Sequence, residues 1–412
     1  MNLEYFIAKR LNGRTSYKSS ASSTIIKIAM VAIALGMIMM LIAISVTLGL
    51  QREIRQKISA FSGDILVSNF DGNNSEETVN PITINQDFYP DFDAVPEVTH
   101  VQAITSRAGI IRTKETFEGV MVKGIGDDYD WSRIESYITE GRKPDFTNDK
   151  LSTETIFSTY LANRLGFKVG DKAIVYFVNQ EDGSKFRPLR LDIVGLYESA
   201  FQEFDKVYIM ADRRQLARIN KWEKNEVGAF EVFVDDFDKI ERVNNLVYQN
   251  SGSFLRSISV LQRNPNIFEW VKLFDLNMIL IIVVMILVAG INMIVALLVL
   301  VLERTQMIGI LKALGSSDWS IRKVFLYNAM YLIGLGLFWG NIIGIGILAI
   351  QKYFGIITLD PATYYVDKAP VVIEFGFIAM LNIGVFVVCL LMLIIPSFII
   401  TKISPVKAIR FA

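Results

Sequence analysis

Four stretches of the chain run without a charged residue for longer than the roughly 20 residues a bilayer crossing requires: Ile28–Leu50, Leu276–Leu302, Val324–Ile350 and Phe375–Thr401. Each is predicted to be a transmembrane helix. The first is preceded by a basic segment and followed by no small-x-small cleavage pattern, so it is expected to stay in place as a signal anchor. The predicted fold class is membrane α-helical, four transmembrane helices, with a large α+β extracytoplasmic domain inserted between helices 1 and 2. The expected layout is an N-terminal amphipathic segment over 1–24, helix 1 over 25–50 with a stalk to about 61, and the outer domain over 62–264. A second stalk and helix 2 over 265–302 follow, then a charged loop at 303–323, helix 3 at 324–350, an outer loop at 351–374, helix 4 at 375–401 and a tail at 402–412.

The inserted segment changes period. Asp64–Asn69, Gly119–Gly124, Ala173–Val178, Leu189–Leu196, Val207–Met210 and Ala229–Val234 read as strands, with helical patterns at Tyr160–Leu165, Asp212–Ile219 and Asp238–Gln249. Mixed elements of this kind predict an α+β domain. On its two flanks the helical pattern runs on beyond the apolar runs. Ile54, Ile58 and Phe61 keep helical spacing after Leu50, and Asn264-Pro265 opens the run into Leu276 in N-cap and N1 style. Both flanks are therefore expected to be rigid stalks.

Between the second and third runs lies ERTQMIGILKALGSSDWSIRK, Glu303–Lys323. Met307, Ile308, Ile310, Leu311 and Leu314 recur at helical spacing, so a short amphipathic helix is predicted, closed by Gly315 and followed by Ser317 or Asp318 as the next N-cap. A helix that carries Glu303, Arg304, Gln306 and Lys312, keeps an apolar stripe and includes Gly309 suits a groove on another protein. A turn carrying snorkelling charges is the alternative.

Charge orients the spans. The segments 1–27, 303–323 and 402–412 hold twelve basic residues against three acidic ones, whereas 51–275 holds 28 basic and 36 acidic. The positive-inside rule puts both termini and the charged loop in the cytoplasm and the large domain outside. A formal net charge of zero hides that split, and no basic face for nucleic acid is left. One histidine, His100, and one cysteine, Cys389, exclude a zinc site and a disulfide. Asp71–Glu77 lacks the distal glutamate of a calcium loop and reads as solvated. No G-x-x-x-x-G-K-[ST] occurs, so the chain cannot bind ATP through a P-loop, and no constellation marks it as an enzyme.

FIAKRL before the first run, TLGLQREIRQKI after it, SYITEG (Ser136–Gly141), LANRLGFKVGDKAIVY (Leu161–Tyr176), IVGLYESAFQEFDK (Ile193–Lys206), ILKALG in the loop, GIITLDPATYYVDKAPV (Gly355–Val371) and the ending SPVKAIR carry a resemblance over almost the whole chain. It resembles the lipoprotein-releasing ABC transporter permeases, LolC/LolE type, in the FtsX/MacB superfamily. Met307 departs from the pattern, in a place often acidic there. The resemblance implies a Porter-like domain interrupted by a mostly β insert at about 126–222. It also implies a coupling helix that docks a separate cytoplasmic ATPase dimer, a second permease subunit that is a copy or a paralogue, lipoprotein substrates and a periplasmic lipoprotein carrier. No cofactor is expected on this chain, with ATP and Mg held by the partner ATPase. The localisation implied is the inner membrane. An FtsX-like transducer acting on a cell-wall hydrolase and a MacB-like efflux permease are the alternatives.

Three further groups have two readings each. The hairpin Tyr176–Leu191, with Asp182, Lys185, Phe186 and Arg187 at or beside its tip, grips the carrier or is an ordinary solvated turn. Met37, Met40 and Met285 line a cavity for acyl chains or pack as any membrane methionine does. Gly336, Gly340 and Gly344 lie on one helix face and admit either the chain's own fourth span or another subunit. Asn292, Asn341 and Asn382 are expected to face the bundle or a cavity.

Overall fold

The computed structural model describes residues 3–11, 21–70, 77–78, 80–148, 150–178 and 186–402. Its helices in chain order are α1 (Leu3–Leu11), α2 (Ala21–Ser62), α3 (Thr159–Leu165), α4 (Gln202–Asp205), α5 (Arg213–Asn220), α6 (Ile240–Asn250), α7 (Val260–Arg263), α8 (Pro265–Glu303), α9 (Thr305–Ala313), α10 (Asp318–Phe354), α11 (Pro361–Tyr364) and α12 (Phe375–Ser397). The chain divides into two compact units. One comprises residues 1–51, 270–358 and 368–412; the other comprises residues 52–269 and 359–367.

The first unit is a helical bundle. Four of its helices, α2, α8, α10 and α12, are long and apolar enough to cross a membrane. At 1.5 Å per residue, α2 and α8 are each about 60 Å long, roughly twice the hydrocarbon thickness, so both continue past an apolar core. Met37, Met40, Leu41, Met293, Phe325 and Ile333 are buried in the bundle core. The glycine face of α10 lies against α2. A Cβ on Gly336 would stand 2.8 Å from Ile33, one on Gly340 2.7 Å from the Met37 Cβ, and one on Gly344 2.8 Å from Leu41. Neither the fourth span nor another chain supplies that contact, because it is the branched and thioether side chains of α2 that fill the three notches.

Two amides join α10 to α12: Asn341 Nδ2 donates to Asn382 Oδ1 at 2.7 Å and Asn382 Nδ2 returns the bond at 3.1 Å. Asn292 does not reach into the bundle. Its amide donates to the Val288 carbonyl one turn back in its own helix, which satisfies it without a partner helix. α10 ends at Gly355, whose left-handed φ of 58° closes the helix. The Gln351 side chain then holds the outgoing loop, donating to the Ile357 and Ala369 carbonyls and accepting from the Ile357 N–H.

The second unit carries the strands β1 (Ile65–Asn69), β2 (Ile82–Thr83), β3 (Val98–Arg112), β4 (Phe117–Ile125), β5 (Ile138–Gly141), β6 (Glu154–Ser158), β7 (Lys172–Val178), β8 (Phe186–Tyr197), β9 (Tyr208–Asp212), β10 (Glu226–Val227), β11 (Ala229–Val234) and β12 (Leu255–Ser259). Each of the six segments read as strands from the sequence overlaps one of these, with Asp64 and Val207 just outside β1 and β9, and β3, the longest at 15 residues, was not among them. Its first half pairs with β11 in the run β12-β1-β11-β3, and its second half pairs with β4 and β7. The pairings β3-β4-β9-β6-β8-β7 return to β3 and so close a ring of six strands. Segment 126–222 does not make a sheet of its own, because that ring is completed by β3 and β4 from outside it. The interior of the ring is filled by Ile111, Val122, Phe157, Val175, Leu191 and Ile209. Residues 359–367 belong to this unit: Tyr365 packs on Phe201 at 4.6 Å between ring centroids, and its carbonyl accepts from Lys57 Nζ.

Candidate functional site

The segment from Glu303 to Lys323 holds the end of α8, the whole of α9 and the start of α10. Glu303 is the last residue of α8, and Arg304, with φ −101° and ψ 19°, breaks the helix before α9 begins at Thr305. The Thr305 hydroxyl donates back to the Leu302 carbonyl at 2.6 Å. At the other end Gly315, at φ 88°, takes the left-handed position, and the Ser316 N–H reaches the Leu311 carbonyl, as in a Schellman closure. Ser317 caps α10 by accepting from the Ser320 N–H. The short helix predicted for this segment is thus α9, nine residues long.

The faces of α9 are assigned differently from the sequence reading. Ile308 and Gly309 are buried, and Met307 and Leu311 pack against the bundle core, so the stripe is divided, with only Ile310 and Leu314 of it left exposed. The apolar groups left outward are Leu302, Ile310, Leu314 and Trp319, with Leu314 77% exposed, beside the exposed Gln306. Trp319 is a functional candidate that periodicity missed. Its signal was its position: a lone tryptophan two residues after a cap, in a polar loop.

Lys312 is likewise occupied inside. Its ammonium pairs with Asp318 at 2.9 Å and donates to the Ile400 and Thr401 carbonyls. The Arg322 guanidinium lies 4.0 Å over the Phe398 ring. Lys312 therefore fastens α9 to the ends of the neighbouring spans instead of projecting from it. From α1, Glu4 accepts a 2.9 Å bond from the Ser320 hydroxyl, and Tyr5 meets Tyr327 edge-on at 6.1 Å. Its own backbone N–H, the Ser320 hydroxyl and Lys323 hold the Glu4 carboxyl below the usual carboxylate range. The N-terminal helix so braces the start of α10.

Of the other candidates, Met37 and Met40 are wholly buried, and Met285 lies against Gly36. In the hairpin, Asp182 and Lys185 lie outside the described residues. Phe186 is exposed at the start of β8, while Arg187 Nη1 donates to the Ile219 carbonyl, so only the first of these two is presented outward. Among the described residues no group of three or more metal-ligating side chains occurs.

Residues 28–248 match the family described as the MacB-like periplasmic core domain, and residues 279–405 match the FtsX-like permease C-terminal domain. The chain is similar over its full length to two proteins named lipoprotein-releasing system transmembrane protein LolC. One is from Neisseria meningitidis serogroup B, at 25% identity over 98% of that relative. The other is from Xylella fastidiosa, at 23% over 98%. A lipoprotein-releasing system transmembrane protein LolE from Haemophilus influenzae is 21% identical over 99% of both chains. A MacB-like core domain over more than half the chain, followed by an FtsX-like permease domain, defines a permease of the FtsX/MacB superfamily. Within it the chain belongs to the LolC/LolE type.

Proposed function

We propose that this chain is the membrane subunit of an ABC transporter that extracts lipoproteins from the inner membrane and passes them to a periplasmic carrier. In this reading it works beside a second permease subunit, and ATP is hydrolysed with Mg by a separate cytoplasmic ATPase dimer. The chain crosses the membrane four times with both termini in the cytoplasm, which the excess of basic residues on the terminal and 303–323 segments supports. Full-length likeness to lipoprotein-releasing LolC and LolE proteins is the observation that carries the proposal.

The ATPase docks on the outward face of α9 and its flanks, through Ile310, Leu314 and Trp319. Apolar side chains so exposed at a helix end, next to buried neighbours, suit a partner's groove. Glu303, Arg304 and Gln306 lie at the rim of that contact.

The test is reconstitution of the chain and its ATPase in liposomes loaded with a lipoprotein, with a soluble carrier outside. ATP-dependent appearance of lipoprotein on the carrier supports the reading. Normal ATPase coupling with no release, and activation of a cell-wall hydrolase instead, replaces it with transduction.

A further inference from the structure

α10 marks its own depth in a bilayer. Arg322 and Lys323 are its last charged residues before the uncharged run that opens at Val324, so the boundary between headgroups and hydrocarbon falls close to that point. α1 is fixed to the same point on two rungs. Glu4 accepts from the Ser320 hydroxyl at 2.9 Å and lies 4.0 Å from the Lys323 ammonium, on the water side of the boundary. Tyr5 meets Tyr327 edge-on at 6.1 Å, and Tyr327 lies about 5 Å along the axis into the apolar run. The start of α1 therefore straddles the depth at which interfacial amphipathic helices bury their apolar face.

Ala8 is buried, while Phe6, 43% exposed, and the exposed Arg10 stand one turn apart on one outer face. A ring exposed at that depth has acyl chains beside it, and the arginine stem can lie along apolar surface while its guanidinium stays among the headgroups. Charge decides which headgroup. Glu4 is the only acidic residue before Glu53, against five basic residues in 1–27, and its carboxylate is turned toward α10 by Ser320 and Lys323. A guanidinium can bind the phosphate of any phospholipid. A zwitterionic headgroup, however, brings an ammonium that a basic segment repels, and an anionic headgroup brings none.

We propose that the outer face of α1 binds an anionic phospholipid, its phosphate at Arg10 and its upper acyl chain along Phe6. The site requires the bundle to cross the membrane, as in the proposed function, and is independent of what the transporter carries.

The experiment uses the full chain in nanodiscs of phosphatidylcholine and phosphatidylglycerol in equal amounts, with Phe6→Cys labelled by bimane, whose ring system stands in for the phenyl group. Cys389 is buried, so labelling is confined to the new site. One lipid and then the other is brominated on its upper acyl chain, and quenching of the bimane is measured. Brominated phosphatidylglycerol should quench about fivefold more effectively than brominated phosphatidylcholine, the worth of one basic residue near an anionic surface. Arg10→Lys in the same background should keep most of that preference, and Arg10→Gln should bring the two lipids to parity. Inorganic phosphate at constant ionic strength should leave the preference unchanged. A bimane at Leu391→Cys, exposed on α12, should be quenched by both lipids without preference. The proposal fails if position 6 is quenched equally by both lipids, if Arg10→Gln keeps the preference, if phosphate removes it, or if neither lipid reaches position 6 while both reach position 391. Absence of quenching by either lipid at both positions overturns the four-span reading, and this site with it.

Discussion

Gly340 is where a single atom decides a helix contact. A Cβ there meets the Met37 Cβ at 2.7 Å and the Ala34 carbonyl oxygen at 2.9 Å, and backbone cannot step aside as a side-chain tip can. Gly340→Leu should cost about 1–3 kcal/mol by overpacking, seen as a lower unfolding midpoint in detergent. Gly346→Ala, with nothing within 4 Å of the added carbon, should be neutral or mildly stabilising. Asp205 is a second such point. Burial raises its carboxyl above the usual range, although the Ser199 hydroxyl and N–H donate to Oδ1 and Lys57 lies nearby. With the folded pKa above the unfolded one, the native state holds more protons between the two, so this group's contribution to stability declines as pH rises through that window. Asp205→Asn removes the titration and keeps the acceptor. Its unfolding midpoint should therefore gain on the parent protein as pH increases, and a difference independent of pH would show that Asp205 is not the group involved.

At the scale of elements, α9 has two apolar sides, one packed on the bundle core and one exposed, which the proposed function gives to the ATPase. Leu314→Asp, on the outward side, should abolish ATPase co-purification while leaving the fold intact. Leu311→Asp acts through the bundle core and should lower yield and midpoint first. Equal ATPase binding in parent and Leu314→Asp protein, measured by pull-down, would remove this face from the interface. Hydropathy alone made the long helices legible, because a bilayer-length apolar run admits few other structures. It did not say which stripe of α9 turns inward, since Met307, Ile308, Ile310, Leu311 and Leu314 are all apolar and the choice depends on what packs beside them. β3 was illegible for a related reason. Gln102, Thr105, Ser106 and Arg107 interrupt its apolar pattern, yet all are buried. Gln102 is satisfied by Glu231 and Arg107 by the Val178 carbonyl, partners distant in sequence that no local period announces. The strand also changes neighbours halfway along, from β11 to β4 and β7, so no single inside and outside holds over its length.

At the scale of the whole molecule, the least covered of the four candidate spans among the described residues is α8. Only 17% of its most apolar window is buried, and Leu276, Ile279, Leu280, Val283 and Leu287 stand exposed. A second permease subunit against that surface is the arrangement the proposed function calls for. Val283→Cys should then crosslink to a cysteine on the partner's spans in native membranes. The assay is clean, because the one native cysteine, Cys389, is buried. Crosslinking to lipid-directed reagents alone, with no protein adduct, would place this face in lipid. One feature of the outer unit bears on how the protein is made. Residues 359–367 are part of that unit through Tyr365, although every other residue of it lies before position 270. During synthesis the unit emerges nearly whole and then waits, its Phe201 ring uncovered, while two further spans are translated. Its last piece arrives only after the third span has been threaded. Completion of the outer unit is therefore coupled to the progress of membrane insertion, and a chain stalled before residue 359 lacks the Tyr365 ring that packs on Phe201.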